Sequence, residues 1–327
     1  MINIIFTCSW MNNEQIFNSY KQNTPDNLGI WKNIKGVIDI NEAEYIIILD
    51  DLHVSFLNNG IQNFLQKFNY DKIIHFQREN TTILNKQTNK SWYLTNVLPN
   101  IKYHITYEKG FLYTFAPASF INKTYDELKS MTYPEKTKNI SCVISSKILN
   151  HITDNYYKRV QFIQNYSKNY PNKIDIYGKG WNTNILGDNY KGELDSYHNI
   201  NYNNSNNDKS NGLIPYHYSI ALENLPNEEC ISEKLTDTIL CWCMPLYWGN
   251  KCIEKYIPTN AFHLIDIENK NIFNTINTII LKEPTLEEID NIKTARNVIL
   301  DKLNIWEQIY SIINDYEFFV INYKSLD

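Results

Sequence analysis

The stretch from residue 213 to 268 constrains this chain most, because its pattern reads strand, loop, helix, strand and so commits the fold to a parallel sheet. Tyr218-Ser219-Ile220-Ala221-Leu222 alternates and ends in the polar pair Glu223-Asn224, the pattern of a buried strand with its carboxyl end exposed to chemistry. Leu225-Pro226-Asn227-Glu228-Glu229 interrupts it as a loop. From Ile231 the apolar residues fall at Ile231, Leu235, Ile239 and Trp242, a stripe that predicts a helix lying on a sheet, with Ser232, Glu233 and Lys234 in its first turn. Cys243 to Gly249 reads as the next strand and its stop. In open α/β sheets ligands lie at the carboxyl ends of strands, against helix amino termini.

Those residue types suit a nucleotide-sugar ligand. A carboxylate such as Glu233 accepts hydrogen bonds from a ribose diol, while the Lys234 ammonium and the free amides of a first helical turn face a diphosphate. The alternative is that Glu233 and Lys234 are a solvated pair of first-turn charges.

At 327 residues the chain has room for two domains, each with its own core. The net charge of -5 argues against a nucleic-acid binder, which carries a basic stripe more often. The opening run Met1 to Cys8 lacks a basic flank or cleavage pattern and reads as a first strand. No stretch approaches the ~20 apolar residues needed to span a bilayer, so a soluble, cytoplasmic protein is expected. Cys241-Trp242-Cys243 lacks zinc-ligand spacing, and the six cysteines read as buried thiols with no metal site. Asp50-Asp51 admits a metal-holding pair, but two polar residues at a strand end is the simpler reading.

Along the first half, Asn3 to Thr7, Glu44 to Leu49 and Lys72 to Phe76 read as strands and Ile61 to Phe68 as a helix, the alternation of a parallel sheet with crossovers. A boundary falls near the charged, Pro-containing stretch Met131 to Lys136. A second series follows: the strand Ile140 to Ser146, the helix Asn155 to Tyr166, and the strand Lys173 to Tyr177 with the turn Gly178-Lys179-Gly180, which is not a phosphate loop. Tyr177 and Trp181, beside that turn, could stack on a base or sugar or belong to the core. The run Asn201 to Asn211 reads as a solvated loop without chemistry, and Asn304 to Ile321 as one or two helices. Two such sheets side by side would leave a ligand cleft between them.

Four stretches carry a family resemblance: Tyr218 to Asn224, Ile231-Ser232-Glu233-Lys234-Leu235, Met244 to Gly249, and Ala261 to Asp266. In order and spacing they resemble the family 10 glycosyltransferases, the α-1,3-fucosyltransferase family. Ser141 to Ser146 with Arg159-Val160-Gln161-Phe162 resembles the start of that family's donor domain and its diphosphate arginine. In the first half only Lys72 to Asn80 is similar, resembling the strand and Glu-Asn that carry the family's catalytic base.

The resemblance implies an α/β fold of two facing Rossmann-like domains, the GT-B type. Its acceptor domain would take 1–132, the nucleotide-sugar donor domain 133–303, and carboxyl-terminal helices 304–327 would pack back on the first domain. It implies inversion at the anomeric carbon without an essential metal or other cofactor. L-fucose from GDP-fucose would be moved to a hydroxyl of an oligosaccharide acceptor. Residue by residue, Glu79 would be the base, Arg159 and Lys234 the diphosphate clamp and Glu233 the ribose acceptor. Glu223 and Asn224 would lie beside the donor, with Tyr177 a further donor contact. On this reading Arg159→Lys weakens catalysis and leaves folding intact. The chain departs from the family at Leu225-Pro226, where a small hydroxyl residue is usual, and in its longer Asn-rich tract. These departures keep another nucleotide sugar open as the donor; from a different class, the alternative is a catalytically silent glycan-binding protein that retains the fold.

Overall fold

The structure, a computed structural model, describes residues 1–50, 67–77, 102–106, 121–148, 154–195, 207–226 and 231–314. Most of the helix expected over Ile61–Phe68 lies outside them. So do Asp51, Glu79 with Arg78 and Asn80, Cys230 and the chain beyond Asn314. Contacts divide the chain into two units, which change over near Asp126 and again at Lys302.

The first unit is built on β1 (Ile2–Cys8), β2 (Ile30–Trp31), β3 (Ile34–Val37), β4 (Tyr45–Leu49), β5 (Ile73–Gln77) and β6 (Tyr103–Thr106). Their order in the sheet is β2-β3-β1-β4-β5-β6, and every pairing is parallel except β2 with β3. Near-continuous apolar strands such as β1 are what a parallel sheet covered on both faces requires. The period of two divides them: Ile4, Phe6 and Cys8 enter one core, Ile5 the other.

The first of those cores is closed by α1 (Asn13–Lys21) and by the helix Ile305–Ile313 near the far end of the chain. Asn12 opens α1 with a reciprocal cap, its side chain accepting from the Gln15 N–H at 2.8 Å while the Gln15 side chain accepts from the Asn12 N–H. Asn304 caps the later helix and donates to the Asn23 carbonyl at 2.8 Å. Trp306, fully buried, sets its ring edge against Phe6 and donates its indole N–H to the Tyr20 carbonyl at 2.9 Å. Trp306→Phe, which forfeits that bond and some volume, is expected to destabilise the protein by about 1–3 kcal/mol in chemical denaturation. Unchanged stability would show that the late helix contributes little to this core.

The second unit holds β7 (Lys138–Val143), α2 (Asn155–Asn169), β8 (Asp175–Tyr177), β9 (Tyr190–Gly192) and β10 (Tyr216–Leu222). It continues with α3 (Glu233–Leu240), β11 (Met244–Trp248), β12 (His263–Leu264) and α4 (Leu286–Asp301). The sheet order is β12-β11-β10-β7-β8-β9, all parallel, so the strand–helix–strand reading around α3 holds, with Ile220 opposite both Cys142 and Leu246. Gly178, at φ +134°, ends β8 where an added Cβ would lie 2.0 Å from the Ile144 carbonyl oxygen, so only glycine fits that crossing.

The helix is shorter than its apolar stripe. Ser232 is the cap rather than a first-turn residue, and Trp242 lies beyond the end with a left-handed φ of +58°. It is also covered on more than one side, packing on β10, β11 and α4, so Thr236, Asp237 and Thr238 are buried along with Leu235 and Ile239. Among the described residues, no helix is long and apolar enough to cross a membrane.

Candidate functional site

The second sheet is wound in two directions, and that fixes where a ligand can sit. The chain runs outward through β7, β8 and β9, then restarts at β10 beside β7 and runs the other way through β11 and β12. The carboxyl ends of β7 and β10 therefore flank the point where strand order reverses, the usual crevice for ligands in such sheets.

Charged side chains converge there. Arg159, on α2 and 3% exposed, donates from Nη1 to the Leu222 carbonyl at 3.1 Å and lays its guanidinium over the Tyr156 ring. Its buried Nε–H has no partner among the described residues, and burial holds the guanidinium below its ordinary pKa. Glu223, just past β10, donates its N–H to the Trp248 carbonyl and turns its carboxylate toward the start of α3. There it accepts from the Ser232 N–H at 2.9 Å, from the Ser232 hydroxyl at 2.6 Å and from the Tyr247 hydroxyl at 3.3 Å. Ser232 Oγ in turn accepts from Lys234 Nζ at 3.0 Å, and the same ammonium donates to Glu233 Oε1 at 3.0 Å. Tyr247, Glu223, Ser232, Lys234 and Glu233 thus form one continuous hydrogen-bonded chain.

Its electrostatics follow from partial burial. Desolvation pushes the Glu233 carboxyl up, but Lys234 and Lys209 more than offset this and hold it at about 2. Burial pulls the Lys234 ammonium down, and Glu233 and Glu223 raise it above its ordinary value. One turn further along α3, Asp237 is fully buried; desolvation drives it up to about 7 although Lys209 Nζ lies 2.6 Å from Oδ2.

These two carboxyls act oppositely on stability. Glu233, depressed on folding, contributes stability that is present above the ordinary carboxyl range near ~4.3 and lost as pH falls through about 2. Asp237, raised on folding, favours the native state fully below ~3.9, and that contribution disappears as pH rises through about 7. Asp237→Asn is therefore expected to lose less stability than the parent between pH 4 and 7 in urea titrations. Parallel profiles would show that Asp237 does not titrate in this window.

Of the residues singled out from the sequence, Arg159, Glu223, Glu233 and Lys234 come together, with Asn224 half-buried beside Glu223. Glu223, however, is committed to Ser232 and Tyr247, so it orients the first turn of α3 rather than standing open to a donor. Tyr177 does not join the group. Its hydroxyl bonds that of Tyr216 at 2.8 Å, and Tyr216 reaches Asp175 and Lys138, the first residues of β8 and β7, so Tyr177 is tied to the opposite end of the sheet. Trp181 is likewise buried, with its indole on the Ile144 carbonyl.

Lys209, inside the tract read as solvated and without chemistry, belongs to the cluster instead. The local signal was Asp208-Lys209-Ser210, in which the buried Asp208 side chain accepts from the Ser210 N–H and caps a short turn. Glu79 lies outside the described residues. Cys8, Cys142, Cys241 and Cys243 are buried and form no disulfide, and among the described residues no group of His, Cys, Asp and Glu is placed to hold a metal ion.

Residues 133–282 match the family model described as Glycosyltransferase family 10 (fucosyltransferase) C-term. No curated protein matches the chain. Among solved structures, the DNA modifying enzyme β-glucosyltransferase is similar at a TM-score of 0.52 and 11% identity, over 95% of this chain and 98% of that one. An α1,3-fucosyltransferase with GDP gives 0.40 at 14% identity, over 96% and 90%. T4 phage BGT with its UDP-glucose substrate gives 0.47 at 11%, over 95% and 98%. The likeness to β-glucosyltransferase is one of fold: two parallel-sheet α/β units of the GT-B class.

Proposed function

We propose that the protein moves L-fucose from GDP-fucose to a hydroxyl of an oligosaccharide acceptor, inverting the anomeric carbon without an essential metal, a reading supported by the match of residues 133–282 to the family 10 model. The observation that carries this reading is the meeting of Arg159, Glu233 and Lys234 at the start of α3, at the sheet's switch point and inside the matched region. Glu233, kept ionised, accepts from the ribose diol. Lys234 and the unpartnered N–H of Arg159 meet the charge that grows on the departing diphosphate, helped by the amides of the helix start. Asn224 adds a neutral donor and acceptor beside them. Glu79 takes the proton from the attacking hydroxyl.

A second reading keeps the mechanism and changes the donor. It is favoured by Leu225-Pro226, both buried, where the family usually has a small hydroxyl residue next to the Glu-Asn pair. One experiment separates the two: purified protein incubated with GDP-fucose, a UDP-sugar and a dTDP-sugar, with an oligosaccharide acceptor, followed by nucleotide release and the anomeric configuration of the product. Release from GDP-fucose alone, with inverted product, is the expected result. Release from a different donor would select the second reading, and no release from any would refute transferase activity.

A further inference from the structure

Lys209 belongs to none of the motifs that define the site, yet it reaches the same helix. It opens the short turn Lys209–Gly212, whose cap Asp208 is buried and whose Ser210 and Gly212 are buried as well, so the turn is a fixed part of the second unit. From it the Lys209 side chain, 14% exposed, sets Nζ 2.6 Å from Oδ2 of Asp237, which is wholly inaccessible. Asp237 stands four residues after Glu233 on α3, hence on the same side one turn along. An ammonium bound to Asp237 therefore lies beneath the Glu233 carboxylate.

We infer that Lys209 is a positioning residue of the donor site: by clamping Asp237 it fixes the first turn of α3 and holds Glu233 in place, so that donor affinity depends on it. This rests on the donor reading given above. The charge balance agrees with it. Arg159, Lys209 and Lys234 face Glu223, Glu233 and Asp237, and Lys209 ranks after Lys234 among the cations that hold Glu233 down.

The test is calorimetric and kinetic, on the full chain. Lys209→Met is expected to weaken GDP binding, and to raise KM for GDP-fucose, by about tenfold, or about 1.4 kcal/mol. kcat should stay within about threefold, as loss of binding common to ground and transition states demands. Lys209→Arg, which keeps the charge on Asp237, should recover affinity to within about threefold. Adding Asp237→Asn to Lys209→Met should cost nothing more, because both act through one contact. Should the Met variant not fold, Lys209→Gln carries the same expectation. Parental affinity in the Met or Gln variant, no recovery in the Arg variant, or additive losses in the double variant would each overturn the inference. GDP binding by the parent, with its loss in Lys234→Met, tells this failure apart from failure of the donor reading itself.

Discussion

Glu79→Gln is expected to lower turnover by about 10²–10⁴ while leaving GDP affinity at the parental level. Glu79 follows β5 in sequence, whose residues Ile73 to Gln77 are buried. Gln keeps the size of the side chain and an accepting oxygen but cannot take a proton, so it isolates the base from any positioning role. The residues proposed to hold the donor are Arg159, Glu233 and Lys234, so GDP titrations should not change. The check is kcat at saturating donor and acceptor beside GDP calorimetry. Near-parental kcat would remove Glu79 from the role and leave the second unit's site without an assigned base.

Arg159→Lys is expected to reduce kcat/KM by about 10²–10³, the usual cost of losing one fixed donor to developing charge. A guanidinium can hold the Leu222 carbonyl with Nη1 and still present Nε–H elsewhere; an ammonium on a shorter stem cannot do both in that geometry. The structure also changes the expectation for folding. Arg159 is buried over Tyr156 and bonded to a strand end, so the substitution should also cost about 1–3 kcal/mol of stability. Chemical denaturation with steady-state kinetics separates the two effects. Full activity in a folded Lys variant would contradict the diphosphate clamp.

Much of the second unit was legible because parallel strands buried on both faces leave long apolar runs. Tyr218 to Leu222 and Met244 to Trp248 each paired where their pattern indicated. The helix between them was legible as a helix but not in its limits. A stripe counts apolar side chains, and it cannot tell that Ile231 precedes the Ser232 cap or that Trp242 turns left-handed past the end. Periodicity also assumes one covered face, whereas α3 is packed by the sheet and by α4, which is how Asp237 comes to be buried. Composition misled at Lys209: an Asn-rich run looks solvated as a whole, while its last residues fold under α3. Glu223 was found by position at a strand end, but its partners Ser232 and Tyr247 come from two other elements and no spacing rule pairs them.

The most direct test is thermal unfolding of the parent and of Lys234→Met with and without GDP, alongside UDP and dTDP. A nucleoside diphosphate held at the start of α3 should stabilise the parent by about 2.7 kcal/mol at a hundred times its Kd. GDP should give the largest shift, and the shift should vanish in Lys234→Met, whose ammonium links Ser232 and Glu233. Equal GDP stabilisation of both proteins, or no stabilisation of the parent by any of the three, would contradict the site.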